Sequence, residues 1–337
     1  MMYQIQTYKV MDRREWSRLV QESATGTWFQ TPEAYEFFAS LPELFNPFAL
    51  GLINEAGLRG VCVGYVTKEL NAVKQFFTRR AIIVGGPCIA DDATDEEVRV
   101  LMGSVRAELA KQAIYIESRN LNDYGRWRKA FEKAGFAYKA HLNFHVDCMD
   151  KELMWGRLSE SRRRQIKKAQ KNGVEVVEAQ TEQEIQEWFA MLHHLYVTKV
   201  KTPLFPLSFF LEFHRRHLGT YLLVKKEGKI IGGIMCPILD GKCIYEWFVC
   251  GNDVAYKECY PSVMTTYAAM EYGNAHRLPR FDFMGAGQPN EPYGVREFKA
   301  EFGGKTVEYG RFLYVNSPFL YSIGCAWIRI FRKMSAK

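Results

Sequence analysis

No apolar run in this chain approaches the roughly 20 residues that a bilayer-spanning helix needs, so no helical membrane span is expected. The opening stretch MMYQIQTYKVMDRREW lacks an apolar h-region and a cleavage site, and does not read as a signal peptide. The eight cysteines (62, 88, 148, 236, 243, 250, 259 and 325) form no Cys-x-x-Cys pair, which suits reduced, buried thiols in a cytoplasmic protein. His141 and His145 would share one face of a strand, but no acid or cysteine stands at a ligand spacing, so no metal is expected. Disorder is excluded by 47% hydrophobic and 25% charged residues, with aromatics at 14%. A chain of 337 residues is long for one domain and comfortable for two.

The net charge of +7 is concentrated. Residues 157–171, RLSESRRRQIKKAQK, hold seven basic residues and one acid. A single basic patch suits a phosphate-bearing partner, or else a solvated helix face. Arg163, Arg164, Lys167 and Lys168 would point outward toward an RNA backbone or an anionic lipid surface. Arg162 falls instead on the apolar face with Leu158, Ile166 and Ala169, where an arginine needs a structural or a substrate partner.

Capping boxes at Thr94-x-x-Glu97 and Thr181-x-x-Glu184 start two helices, and Thr31-Pro32 starts a third. Helices at about 32–41, 94–112 and 124–134 alternate with strand-like runs at Phe48–Ile53, Arg59–Val66, Ala81–Val84, Ile114–Glu117 and Tyr138–Val146. After Asp150 the basic helix runs to about Asn172, stopped by Gly173. Strands and helices then follow in the order β-α-α-β-β-β-α-β-α-β, with the last strand at Thr306–Val315. That order resembles the GCN5-related N-acetyltransferase fold. The fold class is α/β (α+β): two tandem domains of this type, with mixed, mainly antiparallel sheets flanked by helices. The expected boundaries are 1–150 for a degenerate first copy, 151–317 for the second domain and 318–337 for a final helix.

The strongest motif is FDFMGAGQPNEPYGVREFKAEFGG, 281–304. Asp282 ends a strand, Gly285 and Gly287 make a tight turn, and a short helix from Tyr293 to Phe302 would face Val295, Phe298 and Phe302 to the core. Arg296 and Lys299 then lie on the neighbouring face, with Lys299 reaching a cleft while its stem packs. Glu246, within YEWFV, is an acid in an otherwise apolar strand, either a cleft carboxylate or an exposed edge residue.

This stretch resembles the C-terminal signature of the FemABX family through Asp282, Gly285, Phe298-Lys299 and Phe302-Gly303. Phe29-Gln30-Thr31-Pro32-Glu33, Gly86-Pro87, Gly135-Phe136, Ser161-Arg162-Arg163 and Ile166-Lys167-Lys168-Ala169 match in the same order. The family's helical arm is missing between 199 and 220, and Ala34 and Phe37-Phe38 stand where relatives carry Trp and a phosphate-binding Lys. Lys199 and Lys201 are the nearest cations to the arginine that relatives carry before the second helix.

The resemblance implies a non-ribosomal peptidyltransferase that moves an amino acid from aminoacyl-tRNA to an amine of a peptidoglycan precursor stem peptide. Lys299 is then the oxyanion partner and Phe298 the wall that fixes its rotamer; the amine proton goes to a carboxylate, Asp282 or Glu246, or to the tRNA's own ribose and phosphate. Arg296, Tyr293, Glu246, Lys199, Lys201 and Arg162 are the substrate-binding candidates. No cofactor is implied.

Two alternatives stay open: an acyl-CoA-dependent N-acyltransferase of surface polysaccharide, and a non-catalytic RNA- or membrane-binding protein on the same fold. Against CoA, the loop 251–264 has no glycine after Gly251, and Pro261 removes a donor. Residues 319–331, FLYSIGCAWIRIF, read as a helix packed on the first domain, with peripheral membrane contact through 319–333 as the alternative.

Overall fold

The computed structural model describes residues 3–69 and 72–335. Two compact units form, one from residues 1–141 with 309–337 and the other from 142–308. Each is built on an eight-stranded sheet. These limits differ from a cut at 150 because two expected strands are each broken in two. The run 138–146 splits into Ala137–Lys139, which stays in the first unit, and Leu142–Asp147, which pairs with Arg280–Asp282 and Lys305–Glu308 in the second. The run 306–315 splits into Lys305–Glu308 and Arg311–Val315, and the latter pairs with Tyr115–Asn120 and Ala137–Lys139 in the first unit. Strand pairing over long sequence separations is what decides membership, and a local reading of hydrophobicity cannot see it.

The two sheets repeat one plan. In the first, Phe45–Asn54, Gly57–Thr67 and Ala81–Gly85 run antiparallel, and a helix, Asp95–Leu109, returns the chain to a parallel neighbour, Tyr115–Asn120. In the second, Gly219–Lys226, Lys229–Leu239 and Cys243–Tyr245 run antiparallel, and the helix Pro261–Ala275 leads to the parallel neighbour Arg280–Asp282. The duplicated architecture is therefore visible in topology where the sequence shows no repeat.

Both capping boxes form, and Thr31 caps a helix with Pro32 in its first turn. The basic helix is broken, contrary to a continuous run from 150. Lys151–Arg157 ends at Leu158, and Ser159 caps a new helix, Glu160–Lys171. Gly173 then ends that helix at a φ of 72°. The core of the second unit includes Ile166, Ile234, Ile244, Met270, Phe281 and Phe302, all fully buried.

The parallel pairs differ between the units. In the first, five rungs from Ala81↔Ile116 to Gly85↔Asn120 zip the pair closed. On the other side of Ala81–Gly85, the strand Gly57–Thr67 pairs only at Tyr65 and Val66 and then diverges. Gln30 fills that gap. Its Nε2 donates to Val63 O and Val84 O, each at 2.9 Å, and its Oε1 accepts from Val63 N at 2.7 Å. The Gln30 of the Phe-Gln-Thr-Pro motif is thus a backbone surrogate. Gln30→Ala should cost about 3 kcal/mol, since buried backbone groups lose their partners. Urea unfolding measures this, and a loss under about 1 kcal/mol would mean that water substitutes for the amide.

Candidate active site

In the second unit the parallel pair stays zipped for three rungs only, Cys243↔Arg280 to Tyr245↔Asp282. The strands then part. Glu246 N donates to Asp282 O at 2.9 Å, while the next amide, Trp247 N, turns to Met235 O at 3.1 Å. The expected continuous strand 242–250 is therefore interrupted at 246–247, and Phe248–Gly251 pairs only with Lys229–Leu239. Glu246 stands at the point of the fork.

A fork leaves carbonyls without ladder partners, and Lys299 supplies them. Its Nζ donates to Phe283 O at 2.7 Å and to Gly285 O at 3.0 Å, and meets Glu246 Oε1 at 2.9 Å. An ammonium has three donors, and all three are engaged by protein. Lys299 is 9% exposed and points inward, whereas Val295 on the same helix is 43% exposed. This corrects two expectations. The short helix Gly294–Ala300 buries its lysine rather than Val295, and Phe298 does not hold the Lys299 rotamer. The ring against the Lys299 ammonium is Phe283, at 5.2 Å.

Phe298 instead carries the guanidinium of Arg162 at 4.5 Å, and Phe302 carries it at 5.3 Å. Arg162 Nη1 also donates to Gln165 Oε1 at 2.7 Å, and its Nε lies 3.5 Å from Glu301 Oε2. Arg162 is thus tied into the helix that carries the motif. Burial lowers its affinity for a proton, partly offset by Glu301. Gly303 is required for packing: at a φ of 75°, a Cβ there would lie 2.3 Å from Arg157 O.

The other wall is the turn after Asp282. Asp282 is fully buried; its Oδ1 accepts from Asn143 Nδ2 and Met284 N, each at 2.7 Å, and its Oδ2 lies 3.0 Å from His145 Nε2. Burial pushes the Asp282 carboxyl up, but His145, Arg280 and Asn143 outweigh it and hold it below the usual range. Met284 adopts a left-handed φ of 56°, which a side chain tolerates only when neighbours enforce it. Gly285 N donates to Asn143 Oδ1 at 2.7 Å. Asn143 and His145 come from the strand Leu142–Asp147, and no sequence signal marked Asn143. His141, expected on the same face as His145, belongs to the first unit, where its Nε2 is 3.1 Å from Arg311 Nη2.

Glu246 is 6% exposed, Oε1 faces Lys299, and the Thr266 hydroxyl also bonds the carboxylate. Burial raises its pKa, against the pull of Lys299. The open choice between cleft and edge is thereby settled in favour of a buried carboxylate. Arg296 clamps the turn, with Nε on Ala286 O at 2.8 Å, Nη1 on Pro289 O at 3.2 Å and Nη2 on Gln288 O. Tyr293 is 43% exposed beside Gly287. Lys199 and Lys201 are exposed, on and just after the turn Tyr196–Val200.

The helix Pro261–Ala275 stands where a pyrophosphate would approach backbone amides. Its N-terminus is already capped by an anion of the protein itself. Asp253 Oδ1 accepts from Ser262 N at 3.1 Å, and Asp253 Oδ2 accepts from Ser262 Oγ. A carboxylate there repels phosphate, which reinforces the absence of glycines in the loop. Among the described residues, no group of three or more His, Cys, Asp or Glu could hold a metal ion.

Duplicated sheets, one zipped and one forked around a buried lysine–carboxylate pair, define a tandem fold of the GCN5-related N-acetyltransferase type. Residues 236–326 match the FemAB family model, and the resemblance to the FemABX family is borne out. The solved structure of FemX superposes with a TM-score of 0.73 at 13% identity, over 96% of this chain and 99% of that one. A tandem GNAT protein from the clavulanic acid biosynthesis pathway gives 0.59 at 10% identity, over 94% and 99%. The C-terminal domain of a protein assigned as a lysylphosphatidylglycerol synthetase of Agrobacterium fabrum gives 0.58 at 14%, over 94% and 95%. No curated protein sequence matches the chain.

Lys299→Met should destabilise the fold, contrary to the expectation for a lysine that merely lines a cleft. It strands two carbonyls and an unpaired buried carboxylate, at a cost of about 3 kcal/mol or more near neutral pH. Without its cation the Glu246 pKa rises further. A group raised in the folded state favours folding fully below its unfolded value, about 4.3, and that contribution is lost as pH climbs through the folded value. The variant's deficit should therefore be larger at pH 8 than at pH 5. Urea midpoints at the two pH values test this, and equal deficits would remove Glu246 from the account.

Proposed function

We propose that the protein forms an amide by moving an amino acid from aminoacyl-tRNA to an amine of a peptidoglycan precursor stem peptide. The observation that carries this reading is the Phe298-Lys299 motif, in the stretch matched to the FemAB family, holding Glu246 at the strand fork. In the reaction the acceptor nitrogen bonds to the ester carbonyl carbon, the bond to the tRNA ribose oxygen breaks, and one amine proton must leave. A lysine-like amine with a pKa near 10.4 is mostly charged at neutral pH, so it first gives one proton to solvent, and the neutral amine then needs an acceptor for the proton lost as the amide forms.

Glu246 suits that role better than Asp282. Burial raises its pKa, whereas Asp282 is held below the usual carboxylate range by His145, Arg280 and Asn143 and keeps its charge. The proton then passes to the departing ribose oxygen. Lys299 contributes positive charge to the developing oxyanion while fixing Glu246 and the Phe283–Gly285 turn. Arg162 and Arg296 position the motif helix and the turn, Tyr293 lies open to the acceptor, and Lys199 and Lys201 offer point charges to its phosphates. An acyl-CoA donor is disfavoured by Asp253 on the helix N-terminus.

The protein should be incubated with a charged-tRNA pool and, separately, with acetyl-CoA, each with lipid-linked and nucleotide-linked precursors. A product heavier by one aminoacyl group is expected only with tRNA; an acetylated product alone would overturn the reading. Glu246→Gln keeps an oxygen toward Lys299 and should lower turnover about 100-fold or more, the usual contribution of a proton acceptor. The rise of rate with pH should disappear with it. Unchanged turnover would leave Glu246 a purely structural partner of Lys299.

The basic helix is the proposed tRNA contact. Arg163 Nη1 donates to Gly156 O at 3.0 Å, Lys168 pairs with Glu258, and Lys167 sits 5.7 Å from the Trp155 ring centre. Arg164 and Lys167 are exposed on its outer face. Replacing both with Gln should flatten the log–log salt dependence of tRNA binding by about 1.4–1.8. An unchanged slope would show that the patch is a solvated face.

A further inference from the structure

The helices Ala72–Thr78 and Pro318–Ser335 both belong to the first unit and touch each other. Tyr321 seats the longer helix on the sheet, its ring meeting Tyr115 edge-on at 5.3 Å. The expected packing on the first domain is therefore met along one side. Another side is bare. Phe319 is 74% exposed and Ile323, one turn on, is 41% exposed. Ala326 is exposed as well, and in sequence the same spacing continues to Ile330. On the short helix Phe76 and Phe77 are 46% and 45% exposed, with their rings edge-on at 5.1 Å. Four large apolar side chains open on two touching helices form a patch, which a soluble surface rarely leaves uncovered.

The two segments are basic in sequence, and Glu69, whose N donates to Gln75 Oε1 at 2.6 Å, adjoins the short helix. The Arg79 guanidinium lies 5.0 Å over the Phe76 ring, and Arg80 is exposed beside it. Segments 72–80 and 316–337 carry seven cations and no acid, equal to the net charge of the whole chain. A second copy of this chain would set Arg79 and Arg80 against like charges. No helix among the described residues is long and apolar enough to cross a membrane. An amphipathic helix with aromatics on its open face and basic neighbours fits the plane of a bilayer surface.

We propose that this patch lies on an anionic lipid bilayer, with Phe76, Phe77, Phe319 and Ile323 at the headgroup–acyl boundary and the cations among the lipid phosphates. The surface is separate from the fork, so it stands whether or not the aminoacyl reading holds. The full chain should float with phosphatidylcholine vesicles that contain phosphatidylglycerol, at least tenfold more than with phosphatidylcholine alone. High salt should weaken the binding, because exposed charges are screened. Phe76→Ser with Phe77→Ser, and Phe319→Ser with Ile323→Ser, should each lower partitioning about tenfold from lost apolar burial. Their thermal unfolding should not change, since these side chains are already exposed. No binding by the parent, or equal binding by both double variants, would overturn the proposal. So would a concentration-dependent dimer broken by the same substitutions, which would give the patch to a second copy.

Discussion

The ammonium of Lys299 is the interaction on which the second unit's site depends. Parallel strands that diverge expose carbonyls which a sheet would otherwise satisfy, and buried polar groups without partners are costly. A lysine with three donors closes two such carbonyls and neutralises the carboxylate at the fork point. The left-handed Met284 and the Gly285 turn are held from the other side by Asp282 and Asn143. Remove the pin and the wall, the turn and the carboxylate lose their common reference.

The comparison between the two sheets shows what duplication does. Both have a helix returning to a parallel strand, yet only the second has parted strands. In the first, the parallel pair is closed along five rungs, and a neighbouring gap is filled by Gln30 making bonds that backbone would make. Chemistry needs a place where main-chain groups are exposed and charge is desolvated. The first sheet has no such fork at its parallel pair. Its open face, at Phe76, Phe77, Phe319 and Ile323, is a surface feature with no counterpart in the fork chemistry.

Carboxylates within one small volume acquire different characters from their partners. Asp282 has several hydrogen-bond donors and a nearby histidine and arginine, so it stays ionised. Glu246 has one cation, Lys299, and the Thr266 hydroxyl, and burial outweighs both. Pairs of acids pushed in opposite directions are the usual way a site separates a structural charge from a proton carrier. Asp253 has a third role, capping the helix that would otherwise attract phosphate.

Much of this was legible in the sequence. The capping boxes, the Thr-Pro start, Gly173 and the hairpin turns are local chemistry, and their geometry follows from residue type alone. The Phe-Lys motif and the charge concentration were equally plain, because both are contiguous. What the sequence left open required distant partners. Leu142–Asp147 and Arg311–Val315 joined sheets opposite to those assigned by their neighbours, since strand pairing is set by burial and register over more than a hundred residues. Lys299 read as a cleft-lining cation on a short helix. Only the fork, assembled from residues 243–246 and 280–285, created three acceptors that draw it inside. Asn143 carried no signal at all, because an amide in a strand gains meaning only from the aspartate folded against it.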